Sequence, residues 1–493
     1  MKPTLYSRFK EVAKAHASNP AIIDERNVVK YETLDRLTDT MLSRFPSYVP
    51  ARVGIVMDHS AEMIAAILAV LKCGGAFVAV DPDFPRERMN RFLTECGIDF
   101  VVTQPEYASA LYDFRQFIVG KNFSVDETLH EVPDRSRADR AAYILYTSTT
   151  SGYPLGVSVG NRQVLAMAEA FGKTFHITPD DVVMQFSSSV VNIFIQEVFG
   201  TLLNGATLAI PSAATRSDRD ALVRFADDNY VSIISGFPYL MQELNTLPSL
   251  PLTLRTVISS GDQLAPSAVG HLMEQVTVYN TYGGPENTVF STAYCCNDGV
   301  ALPNGQYPLG KPVEGVEVMI LDDNLRPVAP GKTGEICFAG EFVADGYIGD
   351  HRNEMNTLTT LEDGTRIYRT GDMGRVLADG SVAYLRRKDQ EVNIFGKRVV
   401  TDEVERALKA SDEVKDCFVM DYQDEKGSAY LVAYVVPESS SLRLSWVKNK
   451  LAQYLPAYMI PEFFVLLRQL PVNAAGKVNP LALPVVLKDA IAG

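Results

Sequence analysis

From about residue 50 to 285 the chain alternates short runs rich in β-branched and aromatic residues with longer stretches whose apolar positions recur at helical spacing. The runs 77–80, 100–103, 142–147, 182–186, 206–210, 232–235, 256–259 and 277–279 predict strands, and 63–72, 193–203 and 265–273 predict helices between them. Alternation at this rhythm marks an α/β fold: a large N-terminal body of mostly parallel sheets covered by helices. Between about 300 and 388 Gly and Pro punctuate short strands, which predicts a small β subdomain. The last hundred residues change pattern again. A helix opens at Thr401, Asp402 and Glu403 and turns Val404 and Leu408 inward, strands follow at 417–421 and 430–436, then a helix at 446–455 and a strand at 463–467. This is a compact α+β module. The charged stretch 386–391 precedes it, so the expected division is a core domain over 1–388 and a small C-terminal domain over 389–493.

Composition narrows the class of partner. The 493 residues carry 46 Lys plus Arg against 60 Asp plus Glu, a formal charge of −14. That balance disfavours nucleic acid and anionic membrane as partners, both of which reward basic patches. It leaves room for an anionic small molecule in one local pocket. The most apolar run, 63–71, falls far short of the ~20 residues that span a bilayer, and the N-terminus lacks the apolar core of a secretory leader. Six scattered cysteines without a C-x-x-C pair read as reduced thiols, so the expected location is cytoplasmic.

The strongest local signal is YTSTTSGYPLGV over 146–157, a β-run entering a Ser/Thr/Gly-rich loop. Such loops offer hydroxyls and unhindered N–H groups to phosphate oxygens, although a polar surface turn has the same composition. Further along stand Gly261-Asp262, Asn280-Thr281-Tyr282-Gly283-Gly284-Pro285-Glu286, Tyr368-Arg369-Thr370-Gly371-Asp372, Arg387-Lys388-Asp389 and Gly476-Lys477. In this order and at these separations they resemble the adenylate-forming superfamily, in particular the adenylation domains of nonribosomal peptide synthetases. The resemblance covers nearly the whole chain.

The resemblance implies an ATP-dependent, AMP-forming acid–thiol ligase of secondary-metabolite biosynthesis. Such an enzyme joins a carboxylic acid to ATP, releases pyrophosphate, and passes the acyl group to a thiol. It also implies roles. Ser148, Thr149, Thr150, Ser151 and Gly152 would line the phosphate loop, and Gly261, Asp262, Asn280, Thr281, Tyr282 and Gly283 would contact ATP as well, with Tyr282 as the aromatic that stacks on adenine. Asp372 would accept the ribose hydroxyls with Arg387 beside it, and Glu286 would carry Mg²⁺ against the phosphates. Lys477 would be the lysine that a mobile cap domain brings to the reacting carboxylate, Asp389 the hinge of that motion, and Gly396 part of the thiol tunnel.

Four positions depart from the pattern: Thr149 replaces a Gly, Leu155 a Lys, Pro285 a Thr and Asn393 a Lys. One lost phosphate contact is worth roughly 1–3 kcal/mol. Two readings therefore stay open: a working ligase, and a degenerate homologue that binds nucleotide or acyl-adenylate as a partner module. The substrate pocket departs too. Alignment back from Leu202-Leu203-Asn204-Gly205 puts Asn192 where amino-acid-activating members carry the Asp that pairs with the α-ammonium; an alternative register at Ser187–Ser189 also lacks Asp. The lining would be Asn192, Ile193, Gln196, Ser235, Ile258, Ser260, Thr281, Val289 and Phe290, without formal charge. An acid other than a standard α-amino acid is expected, aromatic or lacking a free α-ammonium. Sixteen residues follow Lys477 with no carrier segment among them, so the expectation is a stand-alone enzyme or a piece of a larger synthetase. The acceptor would be the phosphopantetheine of a carrier protein, with coenzyme A as the alternative.

Overall fold

A computed structural model describes residues 2–46, 51–120, 123–147, 155–349, 356–388, 391–394, 397–411, 413–423, 429–438, 442–471, 478 and 482–484. The chain divides into two compact units. The first comprises Met1–Pro82, Phe92–Tyr146 and Gly156–Lys388. The second comprises Asp83–Arg91, Thr147–Leu155 and Asp389–Gly493. Nothing in the hydrophobic pattern marks the two short segments 83–91 and 147–155 as part of it.

Two large sheets dominate the first unit. In one, Pro20–Asp24, Thr207–Ile210, Val182–Met184, Ile233–Gly236, Thr256–Ser260 and Thr277–Tyr282 run parallel, side by side in that order, with antiparallel strands at both edges. In the other, Ala141–Thr147, Ala76–Ala79, Arg52–Val56, Phe100–Thr103 and Gln116–Ile118 form the parallel run. The Ala61–Lys72 helix packs on strands of both sheets and is buried along its whole length. That is why AEMIAAILAVLK is apolar on every face between Glu62 and Lys72 instead of striped. The Ser60 hydroxyl caps it, accepting from the Met63 N–H at 3.2 Å.

The expected β subdomain is a five-stranded antiparallel sheet. It is built from Val316–Leu321, Gly334–Gly340, Arg366–Val376, Leu358–Thr360 and Val382–Arg387. In the second unit Val414–Gln423, Ala429–Pro437 and Phe463–Leu466 form a sheet over the helices Thr401–Lys409 and Leu444–Leu451. Val404, Leu408, Val419, Val435, Val447 and Leu451 fill its core.

Two expectations fail locally. The helix expected over 265–273 is instead a pair of short 3₁₀ turns, Pro266–Ala268 and Leu272–Glu274. Gly270 separates them, and the Asn245 side chain accepts from the His271 and Leu272 N–H groups at 2.9 and 3.1 Å. The strand expected to stop at residue 279 continues to Tyr282, because Ser260 and Thr292 go on pairing with it. Asn280, Thr281 and Tyr282 thus belong to the strand end, and the loop begins at Gly283.

Candidate active site

Three neighbouring parallel strands, Ile233–Gly236, Thr256–Ser260 and Thr277–Tyr282, end at the same edge of the sheet, with Gly236 beside Ser259 and Ser260 beside Thr281. Ligands of such sheets sit beyond the carboxyl ends of the strands. Gly261 turns the chain there with φ of 84°, and the exposed Asp262 accepts from the Gln263 N–H at 2.7 Å. Asn280 is buried and donates from Nδ2 to the Pro308 carbonyl at 2.8 Å. Ser260 and Thr281 share a hydrogen bond between their hydroxyls.

Tyr282 closes its strand and reaches into the β subdomain. Its hydroxyl donates to Asp372 Oδ2, while Asp372 Oδ1 accepts from Arg387 Nη1 at 3.0 Å. Asp372 and Arg387 are cross-strand partners, so the antiparallel register itself delivers the guanidinium to the carboxylate. Burial, and then the Asp372 charge, push the Tyr282 phenol well above its ordinary value, which keeps it a donor. Its ring lies 5.8 Å from that of Phe338.

Beyond Tyr282 the chain is crowded. A Cβ on Gly283 would stand 2.5 Å from the Val289 carbonyl oxygen and 2.7 Å from Phe290 Cα, so only glycine lets the 288–290 turn close on the strand end. That turn is itself strained, with Thr288 and Val289 at φ of 44° and 82°. Pro285 opens the 3₁₀ turn Pro285–Asn287, where its fixed φ is suited and no N–H is required. Glu286 follows, only 3% exposed, and its Oε1 accepts from the Tyr347 hydroxyl at 3.1 Å. Tyr347 is held in turn by Thr357 at 2.6 Å.

The residues named for the acid pocket also come together. Ser235, Ile258, Ser260 and Thr281 lie on the sheet edge just described, and Asn192, Ile193 and Gln196 on the Asn192–Leu202 helix. Asn192 is the first helical residue and donates from Nδ2 to the Val289 carbonyl at 3.3 Å, which brings the 288–290 turn into the same group. Of the alternative register, Ser187 is committed to Glu197 and Ser188 to Asp81. The named lining residues carry no formal charge, but a carboxyl stands behind them. Glu197, fully buried, stands directly behind Ser235 and accepts from its hydroxyl at 3.0 Å. It also accepts from the Ser187 hydroxyl at 2.9 Å and from Gln185 Nε2 at 3.0 Å. Burial pushes its carboxyl up to about 7 against those bonds.

Sequence reasoning passed over Glu197, Tyr347 and Phe338. For Glu197 a signal existed: Gln196-Glu197 is a polar pair inside the otherwise apolar IFIQEVF. Ser148, Thr149, Thr150, Ser151, Gly152, Asp389, Gly396 and Lys477 lie outside the described residues. Of the departures, Leu155 is buried at the start of the Leu155–Gly160 strand, and Asn393 pairs with Arg398 in the hairpin of Glu391–Ile394 and Lys397–Val400.

Comparison with known proteins gives matches along the chain. The AMP-binding enzyme family model matches residues 9–348 and the AMP-binding enzyme C-terminal domain model residues 403–477. Bacitracin synthase 2 of Bacillus licheniformis is 33% identical over 98% of this chain, which spans 18% of that protein's length. Among solved structures, NpsA-ThdA, an artificially fused adenylation-PCP di-domain NRPS from Klebsiella oxytoca, superposes with a TM-score of 0.82 at 23% identity, covering 94% of this chain and 93% of that one. The Vibrio cholerae adenylation domain AlmE, in complex with glycyl-adenosine-5'-phosphate, superposes with a TM-score of 0.84 at 19% identity, covering 96% of each chain. The folds agree and the family model spans most of the body that carries the site: the chain belongs to the AMP-binding enzyme family.

Proposed function

We propose that the protein activates a carboxylic acid with ATP and loads it onto a carrier-protein thiol. The acid carboxylate attacks the α-phosphorus, pyrophosphate leaves, and the acyl-adenylate forms. The phosphopantetheine thiol then attacks the acyl carbon and releases AMP. The observation that carries this reading is the meeting of Tyr282, Asp372 and Arg387, residues 90 and 15 positions apart in pairs, at the carboxyl edge of a parallel sheet. An ionised carboxylate oriented by one phenol and one guanidinium still has lone pairs for two vicinal hydroxyls. Asp372 is assigned to the ribose with Arg387, and Tyr282 to the adenine together with Gly261, Asp262, Asn280, Thr281 and Gly283.

The donor set also fits Mg²⁺. Among the described residues no three His, Cys, Asp or Glu side chains cluster as a metal cage. Glu286 supplies a buried hard carboxylate oxygen, and this ion usually takes one or two carboxylates together with substrate phosphates. When bound there, Mg²⁺ would offset the charge of those phosphates. Ser148, Thr149, Thr150, Ser151 and Gly152 are assigned to the phosphates, Lys477 to the reacting carboxylate, Asp389 to the hinge of a mobile domain over 389–493, and Gly396 to the thiol path.

The proposed acid is aromatic or otherwise lacks a free α-ammonium. Because the Val289 carbonyl can only accept, the NH₂ of Asn192 must face it, and the side presented to a substrate is an uncharged carbonyl oxygen. Glu197 has its oxygens engaged by four donor groups and offers no ion pair instead. The carrier partner is supported by the adenylation-PCP architecture of NpsA-ThdA. Among the described residues no helix is long and apolar enough to cross a membrane, and the cytoplasm is the proposed place of action.

The experiment is ATP–pyrophosphate exchange across a broad acid panel, followed by acyl transfer to carrier protein or to coenzyme A. Exchange with at least one acid, lost in Lys477→Ala and Asp372→Ala, is expected. A folded, ATP-binding protein without exchange on any acid would instead be the degenerate binding module.

A further inference from the structure

Five polar side chains belong to the proposed lining of the acid pocket, and four of them have partners within the protein. Ser235 gives its hydroxyl to Glu197, Ser260 and Thr281 bond each other, and Asn192 donates to the Val289 carbonyl. Gln196 is the exception. Its side chain is fully buried, and neither Oε1 nor Nε2 has a hydrogen-bond partner among the described residues. A buried amide left unmatched at both ends is rare, because each unpaired group forfeits the water it gave up on folding.

Helix geometry fixes which way this amide looks. Residues four apart share a face, so Gln196 lies between Asn192, which touches Val289, and Gly200, whose added Cβ would meet the Phe171 ring at 2.5 Å. Phe171 in turn lies 6.2 Å from the ring of Phe290. Gln196 therefore faces the strained Val289–Phe290 turn, the wall of the pocket opposite the helix.

We propose that the activated acid carries an uncharged amide-like group, a carboxamide, ureido or lactam function, that pairs head to tail with Gln196. This deepens the function proposed above and rests on it. The two orphan atoms call for an acceptor opposite Nε2 and a donor opposite Oε1, spaced as in another amide. An ionised carboxylate would satisfy only the first, an ammonium only the second, and a hydrocarbon neither. A pocket built to hydrogen-bond its substrate rejects the analogue lacking that group far more strongly than a hydrophobic pocket rejects a missing methylene.

The test measures binding of non-hydrolysable acyl-sulfamoyl adenosines to the full chain by calorimetry, in shape-matched pairs. These are succinamoyl against isocaproyl, 4-carbamoylbenzoyl against 4-isopropylbenzoyl, and asparaginyl against leucyl, each exchanging a carboxamide for an isopropyl group. The amide member of the best-bound pair should bind about 10²-fold tighter, and Gln196→Leu should abolish or invert that preference. Equal binding within every pair, as a water serving both atoms would give, overturns the proposal while leaving the adenylation reading intact. Binding of none of the six overturns this proposal as well, and ATP–pyrophosphate exchange with any acid of the broad panel then keeps the adenylation reading separate from it. Should Gln196→Leu not fold, the wild-type ratios decide alone.

Discussion

At the scale of single residues, Asp372 is the hub of the site, and the two groups that hold it contribute differently. The Arg387 bond is an ion pair only partly open to solvent, whereas Tyr282 adds one charge-assisted bond inside a buried contact. Tyr282→Phe keeps the ring and loses the bond, so we expect KM for ATP to rise roughly tenfold with kcat less affected, as steady-state exchange kinetics would reveal. Asp372→Asn should cost roughly 100-fold in kcat/KM, because it leaves the Arg387 guanidinium facing a neutral amide. Glu197 makes a prediction of another kind. Its carboxyl is pushed from 4.5 to about 7, so between those values the folded chain holds a proton that the unfolded chain releases. Its stabilising contribution is complete below the lower value and lost as pH rises through the upper one. Glu197→Gln mimics the protonated form, since the Ser187 and Ser235 hydroxyls can turn to accept from its NH₂. Urea unfolding across that interval should show a falling stability in the parent chain and a flatter profile in the variant. An unchanged slope would remove Glu197 as its cause.

At the scale of elements, periodicity found most of what positions the site. The Asn192–Leu202 helix and the Thr256–Ser260 strand lie within a residue or two of their expected bounds, because burial on several sides leaves long apolar runs. It failed where a side chain outcompeted the backbone. Asn245, twenty-six residues before His271, takes the N–H groups a helix over 265–273 would have used, and no local window contains that fact. The end of the Thr277–Tyr282 strand was missed for a related reason: its last residues are polar, and their pairing partners, Ser260 and Thr292, lie in other strands. The Gly283 junction lets this layer be tested. Gly283→Ala would drive Cβ against the backbone of residues 289–291, and none of the atoms it meets is a flexible side-chain end. We expect a loss of about 1–3 kcal/mol in stability, measured by denaturant unfolding, together with weakened acid and ATP binding. An alanine variant of parental stability would show that the 288–290 turn moves freely.

At the scale of the whole molecule, motif order made the family legible while most residues still looked like ordinary surface charges. Tyr282, Asp372 and Arg387 are unremarkable one at a time; their meaning lies in the antiparallel register that pairs Asp372 with Arg387 and in the hydrogen bond that brings Tyr282 to them, neither of which composition carries. The charge of −14 was equally uninformative about the ligand, because the groups proposed to meet ATP are a few local donors and not a basic surface. The departures now read unequally. Pro285 suits the turn it opens, and Leu155 is buried at the start of a strand. Neither need disable catalysis. Whether this chain makes an acyl-adenylate is read by incubating it with ATP, Mg²⁺ and a pooled acid library and capturing the product by mass spectrometry. An adenylate of an acid without a free α-ammonium, formed only with ATP and absent with Asp372→Ala, is expected. Failure to form any adenylate, by a protein that still binds ATP, would contradict the proposed function.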